Sequence, residues 1–240
     1  MTSATVRVLV DEPLRIFLPV RHRSGDAVVD HDGTSSLGHV VQSVGVPLTE
    51  VGRMTVGGVD RAPSYRPRAG DVVEVVAVAR PQPLPVGGAR FVLDVHLGSL
   101  ARRMRLLGID TRYASSAHDD ELLATALAED RVLLSKDRGL LRRRVLRHAA
   151  YVRGVTADEQ LADVLDRFAP SIEPFTRCTA CNGPLHSVPK ADVIDQLEPG
   201  TARTYDEFVQ CADCGRAYWS GAHSRRLRDV VESARRSRAE

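Results

Sequence analysis

The 240-residue sequence is short of lysine, cysteine, net charge and long apolar stretches. No run approaches the roughly 18 consecutive apolar residues of a bilayer-spanning helix, which argues against a membrane protein. The first 25 residues hold no apolar signal-peptide core, so a cytoplasmic protein is the expectation. Only four cysteines occur, in two tight pairs, and in that compartment such pairs point to a metal rather than to disulfides. A formal net charge of only +2 gives no global excess of one sign. Lysine occurs twice, so arginine carries nearly all the positive charge.

What is present suits a soluble folded protein: 43% hydrophobic and 27% charged residues, in a chain long enough for one large domain or two to three small ones. The charge is uneven. Residues 1–80 carry nine basic and nine acidic groups, residues 81–150 twelve against eight, and the last 26 seven arginines against three acids. Local basic faces of this kind permit a nucleic-acid partner without demanding one.

Periodicity predicts a βαβαβ unit from Arg90 to Asp137. Arg-Phe-Val-Leu-Asp94 and Arg-Val-Leu-Leu-Ser-Lys-Asp137 are two short apolar strands, each followed by an aspartate. Between them fall a helix over Leu97 to Leu107 with Gly108 as C-cap, a strand over Ile109 to Tyr113, and a helix opening at Ser116-Ala-His-Asp-Asp-Glu121. Such an order implies a parallel sheet, whose functional crevice lies at the carboxyl ends of its strands. Gathered carboxylates repel unless a divalent cation neutralises them, and Mg²⁺ or Mn²⁺ on oxygen ligands suits phosphodiester hydrolysis. Asp119, Asp120 and Glu121 are candidates to complete the cluster.

This pattern resembles the PIN-type nuclease domain. Phe-Val-Leu-Asp-Val-His-Leu-Gly-Ser-Leu-Ala-Arg-Arg-Met-Arg-Leu-Leu-Gly-Ile-Asp (residues 91–110) is similar, more specifically, to the Mut7-C RNase family. The resemblance implies that Asp94, Asp119 and Asp137 are catalytic metal-binding acids, with Asp120 and Glu121 as rivals of Asp119. It also implies an RNA substrate, with tRNA or another structured small RNA favoured by general PIN behaviour. Many PIN domains add a later acid, for which only Asp158 or Glu159 is in place.

Residues 1–80 read as ββαββ, a β-grasp arrangement: strands at Val6 to Val10 and Leu14 to Leu18, a helix over Leu37 to Gly45, then strands at Met54 and over Asp71 to Val78, the last one central. Val-Gly-Val-Pro-Leu-Thr-Glu50, Val-Gly-Gly-Val59 and Gly-Asp-Val-Val73 resemble the ubiquitin-like domain that precedes Mut7-C domains. That resemblance leaves room for a protein partner. Residues 81–89, with three prolines and then Gly87-Gly88, read as a linker. A sulfur carrier would need that diglycine as a free terminus.

Beyond the core, Arg138 to Arg147 is a basic helix or loop, Ala149 to Val155 a strand, and Thr-Ala-Asp-Glu159 a capping box opening a helix to Phe168. Cys178-x-x-Cys181 and Cys211-x-x-Cys214, 29 residues apart, present four thiolates to a structural Zn²⁺, with Asn182, Gly183 and Gly215 at the knuckle turns. A loop over Pro189 to Tyr205 is inserted between them. These pairs and the Tyr-Trp-Ser-Gly-Ala-His223 ending resemble the Mut7-C zinc ribbon.

The expected class is α/β, with a β-grasp domain (1–80), a linker (81–89), a PIN-like parallel-sheet nuclease core (90–172), a four-cysteine zinc ribbon (173–228) and a polar tail (229–240). Each site residue also has a plainer explanation. Asp94 can cap a turn, and Asp119 stands three residues after Ser116 as in a capping box. Arg102, Arg103 and Arg105 can bind RNA phosphates or form a solvated helix face; Lys136 and Arg138 can do the same or offset Asp137. His96 and His118 are secondary proton-donor candidates. Tyr218, Trp219 and His223 can stack on bases or pack under the ribbon, and Arg225, Arg226, Arg228, Arg235, Arg236 and Arg238 can form a phosphate-binding arm. Two rivals remain: a non-catalytic RNA-binding or ribosome-associated module, and a β-grasp docking or sulfur-carrier protein with a degenerate nuclease.

Overall fold

The computed structural model describes residues 4–220 and 231–232. The chain divides into two compact units that interleave along the sequence: residues 1–80 with Asp137–Tyr151, and residues 81–136 with 152–240.

In the first unit, strands β1 (Thr5–Val10), β2 (Asp26–Asp30), β3 (Val51–Val56), β4 (Val59–Asp60) and β5 (Val72–Ala77) form one sheet in the order β2-β1-β5-β3-β4. Helix α1 (Leu37–Ser43) starts at Ser36, whose hydroxyl accepts the His39 amide N–H at 3.3 Å. β1 and β5 run parallel and the remaining pairs antiparallel, so this is the expected β-grasp with β5 central. Alternate residues of β1 and β5 (Val6, Val8, Val10, Val73, Val75) meet Leu37, Val40 and Val41 of α1 in the core.

One expected strand is absent. Leu14 to Leu18 lies in a 3-10 turn, Glu12–Phe17, entered at Asp11, which accepts the Glu12 N–H, and then Pro13. Leu14 and Phe17 are buried while Ile16 is exposed. The spacing of three that buries a 3-10 face thus overrides the apparent alternation. The partner of β1 is the more polar β2.

In the second unit, β6 (Arg90–Leu93), β7 (Asp110–Tyr113) and β8 (Val132–Ser135) pair in parallel, with β6 central. A 3-10 turn over Val95–Leu97 and helix α2 (Gly98–Leu106) link β6 to β7, and α3 (Asp119–Ala128) links β7 to β8. Gly108, at φ +79°, ends α2 as expected. A short strand, β9 (Ala149–Tyr151), belongs to the first unit. Helix α4 (Ala157–Phe168) begins at the expected capping box: Thr156 Oγ1 accepts the Glu159 N–H, and the Glu159 carboxylate accepts the Thr156 N–H. The linker is fastened rather than loose at Gln82, whose N–H and side chain both bond buried Arg167 on α4.

The ribbon is the antiparallel sheet β10 (Leu185–Val188), β11 (Phe208–Cys211) and β12 (Ala217–Trp219). The expected insertion separates β10 from β11 and contains two short helices, α5 (Lys190–Val193) and α6 (Pro199–Thr204). No helix among the described residues is long and apolar enough to cross a membrane.

In the first unit the added segment 137–151 lies against the β-grasp core. A 3-10 turn, Leu140–Arg142, buries Leu140 and Leu141, and the Phe17 and Tyr151 rings meet edge to face at 5.1 Å.

Candidate active site and zinc ribbon

The central strand β6 delivers Asp94 at its carboxyl end, where Asp94 caps the next turn by accepting the His96 N–H at 3.4 Å. The residue is only 6% exposed. A buried carboxylate needs hydrogen bonds to offset lost hydration, and the buried Ser135 hydroxyl supplies one at 2.5 Å from the end of neighbouring β8. Two adjacent parallel strands thus converge on one carboxylate at the edge where function is expected. No sequence motif marks Ser135; its place before Lys136 and Asp137 at a strand end is the one signal that points to it.

Asp119 and Asp120 open α3 and are exposed. The helix starts later than expected. Its cap is His118, whose N–H is accepted by Glu121 at 3.0 Å, so the Ser116–Asp119 box does not form and Glu121 is occupied as a cap. Acids in a first turn also complement the helix dipole. His96 is exposed. In the first unit, Asp137 is exposed, and its Oδ1 accepts the N–H groups of Gly139 (2.6 Å) and Leu140 (3.3 Å).

The basic candidates differ sharply. Arg102 is exposed on α2, and Arg103 pairs with Asp158 at 2.7 Å. With Glu159 in the capping box, neither later acid is free of a structural task. Arg105 is not a surface phosphate contact. It is buried and donates to the carbonyls of Thr111 (2.9 Å), Thr179 (3.3 Å) and Ala180 (2.7 Å), tying α2 and β7 to the first cysteine knuckle. Burial lowers its pKa, opposed by the nearby Cys181 and Cys178 sulfurs. Lys136 Nζ is taken by the Gly154 carbonyl at 2.6 Å. Arg138 is likewise engaged, donating to the Ile16 carbonyl at 2.7 Å with its guanidinium over the Phe17 ring.

The cysteine quartet assembles as the spacing predicts. Sγ atoms of Cys178, Cys181, Cys211 and Cys214 all lie within 4.8 Å of one another, with Cys178–Cys214 at 3.8 Å and Cys181–Cys211 at 3.4 Å. A tetrahedron with Zn–S bonds of about 2.3 Å has edges of about 3.8 Å, so the donor set fits Zn²⁺. Positive φ at Asn182 (79°) and Gly215 (70°) closes the knuckles. Tyr218 lies 2.9 Å from Cys178 Sγ and so serves the ribbon rather than an RNA base. Burial raises the Cys178 pKa, but the Tyr218 hydroxyl and the Cys181 and Ala180 N–H groups outweigh it and hold the thiol at about 6. Burial pushes the Cys181 thiol up to about 12. Trp219 is 40% exposed and tilts against Phe208.

The ribbon is stitched to the αβ core by more than Arg105. Asn182 accepts the Thr111 N–H and donates to Asp110, both at 2.8 Å; Arg177 bonds the Gly108 carbonyl; Asp110 in turn pairs with buried Arg131 at 2.7 Å. Among the described residues, the cysteines are the only group of three or more His, Cys, Asp or Glu close enough to share an ion. His223, Arg225, Arg226, Arg228, Arg235, Arg236 and Arg238 lie outside the described residues.

These features define a class: a parallel αβ domain with an aspartate at the carboxyl end of its central strand, followed by a four-cysteine ribbon and preceded by a ubiquitin-like domain. Residues 89–231 match the Mut7-C RNAse domain and residues 1–83 match the Mut7-C ubiquitin domain. The chain belongs to the Mut7-C RNAse domain family. Searches of the curated proteins and of the solved structures each return no match.

Proposed function

We propose that the protein is a Mg²⁺- or Mn²⁺-dependent ribonuclease that hydrolyses RNA phosphodiester bonds in a reducing, cytoplasmic setting, with tRNA or another structured small RNA as substrate. The observation that carries the reading is Asp94, a buried carboxylate at the carboxyl end of the central parallel strand inside the matched RNAse domain. On this reading Asp94, Asp137 and Asp119, with Asp120 as rival to Asp119, would be the oxygen donors for a hard divalent cation, although no three of the described acids lie close enough together to share one. Such a cation, when bound, activates water and stabilises the leaving oxygen. This chain's own contribution begins with Ser135, whose hydroxyl orients the Asp94 carboxylate. Exposed Arg102 supports the reading as a phosphate contact. The ribbon's four thiolates take Zn²⁺ as a structural ion, and the β-grasp domain offers a surface to a protein partner.

One observation favours the non-catalytic RNA-binding reading: Asp94 and Asp137 both cap turns, tasks that need no metal. Incubating end-labelled total tRNA and an unstructured RNA with Mn²⁺, Mg²⁺ or EDTA, beside Asp137→Asn, separates the two. The nuclease reading predicts metal-dependent products that vanish in the variant. Binding without cutting by either protein would establish the module instead.

A further inference from the structure

The β-grasp sheet leaves part of one strand uncovered. β3 (Val51–Val56) has β5 on one side and β4 on the other, but β4 is two residues long and its register covers only Thr55 and Val56. The ladder runs one step further, where the Arg61 N–H donates to the Met54 carbonyl at 2.9 Å. The chain then leaves the sheet for the start of α1, where the Pro63 and Tyr65 carbonyls accept the Gly38 and Leu37 N–H groups at 2.9 and 2.6 Å. Among the described residues, Val51 to Arg53 therefore have no strand on the side away from β5. A bulge sits at this point, and Gly52 is pressed so close to β5 that an added Cβ would lie 2.6 Å from the Ala77 carbonyl oxygen. Bulges bend a strand and re-aim its side chains, and they recur beside functional sites.

A cavity of about 370 Å³, within the size range of ligand sites, lies between this open edge and the departing chain. Leu48, Met54 and Pro63 give it apolar walls, and Arg53, Asp60 and Arg61 line it as well. Exposed Arg53 and Asp60 stand 3.7 Å apart, a pair too weak to hold either side chain. Arg61 is placed differently. Its guanidinium lies 4.6 Å over the Tyr65 ring, and its Nε is buried with no hydrogen-bond partner among the described residues. A buried donor left unpaired is costly, so this corner lacks an acceptor.

We propose that this edge docks an extended segment of a partner protein, which adds to β3 as a strand, sends an apolar side chain into the cavity and gives a carboxylate to Arg61. The proposal rests on the reading of the β-grasp domain as a protein-docking element, and it names the surface and the chemistry. Each requirement has its own observation. An open strand edge asks for backbone donors and acceptors at strand spacing, which an extended peptide supplies. The walls of Leu48, Met54 and Pro63 ask for an apolar side chain. The unpaired Arg61 Nε, with Arg53 beside it and only Asp60 to oppose them, asks for an acid.

The test titrates the full-length protein, up to about 1 mM, with the blocked peptide Val-Val-Glu-Glu-Val-Val, each face of which carries valine and glutamate when extended. Its counterpart with both glutamates replaced by lysine, and two copies N-methylated at alternate residues, serve as controls. Binding is read by calorimetry, and its place by hydrogen exchange. The glutamate peptide should bind and slow exchange across residues 51–56. The lysine peptide, and one of the two N-methylated copies, should bind at least about tenfold more weakly. Arg61→Ala should weaken the glutamate peptide by the same factor, and Arg53→Ala, at an exposed position, by about threefold. The lysine comparison uses the unaltered protein, so it decides the matter even if Arg61→Ala misfolds. Equal binding of the glutamate and lysine peptides overturns the proposal. Protection confined to another part of residues 1–80 overturns this edge while the docking reading stands, and absence of binding by every peptide counts against both.

Discussion

Replacing Arg105 by alanine should loosen the ribbon from the αβ core, and the size of the effect follows from its contacts. The guanidinium is buried and donates to three carbonyls, two of them, Thr179 and Ala180, inside the first knuckle. Its two short bonds, to Thr111 and Ala180, contribute about 1.5 kcal/mol each as charged hydrogen bonds. The two methylenes that alanine lacks, Cγ and Cδ, add about 0.8 kcal/mol each. Against this stands the relieved burial of the charge, leaving a net loss of about 3–4 kcal/mol. For a chain of this length that lowers Tm by about 6–16 °C. Calorimetry of the zinc-loaded protein reads the shift, and a chromogenic chelator reads zinc release, which should quicken because the knuckle carbonyls lose their anchor. Arg105→Lys should recover only part, since an ammonium cannot span the fork's partners. A Tm within about 2 °C of wild type and unchanged zinc release would mean that Arg105 does not anchor the knuckle.

Three further outcomes follow. Purified protein should carry one zinc per chain by elemental analysis, and Cys178→Ser should lose it and melt the ribbon's protected amides, because binding energy there is folding energy. Burial raises the Asp110 pKa, but Arg131 and Asn182 outweigh it and hold the carboxyl below its usual range, so its contribution is complete above the unfolded value of about 3.9 and fades as pH falls through the lower folded value. Asp110→Asn should therefore be less stable near neutrality yet lose less on acidification below pH 4, as followed by urea melts. Gly108→Ala should cost about 2 kcal/mol or more, because φ is +79° and an added Cβ overlaps the Glu173 carbonyl oxygen; a melt matching wild type would disprove that packing.

Local signals read well from sequence, and non-local ones did not. The apolar runs ending at Asp94 and before Asp137, the Thr156–Glu159 box and the paired cysteines each express their structure within a few residues. Leu14 to Leu18 misled because Leu14, Ile16 and Leu18 alternate like a strand, whereas burial follows Leu14 and Phe17. Arg105 is legible in principle: Leu100, Ala101, Met104, Arg105 and Leu106 are the buried residues of α2, and Arg105 sits four residues after Ala101 on that face. The hydrogen bonds that tie residues 137–151 to the β-grasp domain join partners about 100 positions apart, such as Glu50 and Tyr151 at a separation of 101, and no pattern within either segment announces them. The Asp94–Ser135 bond is hidden likewise, for parallel strands expose their neighbours only once register is known.

The most direct measurement pairs RNA affinity with single-turnover cleavage in Mn²⁺ for wild type and Asp94→Asn, a near-isosteric change that removes the charge while keeping an acceptor for Ser135. If Asp94 holds the catalytic cation, Asp94→Asn should bind RNA with similar affinity and cleave it at least about 100-fold more slowly, the scale on which loss of a key charged group acts. Cleavage by Asp94→Asn at the wild-type rate would contradict that role.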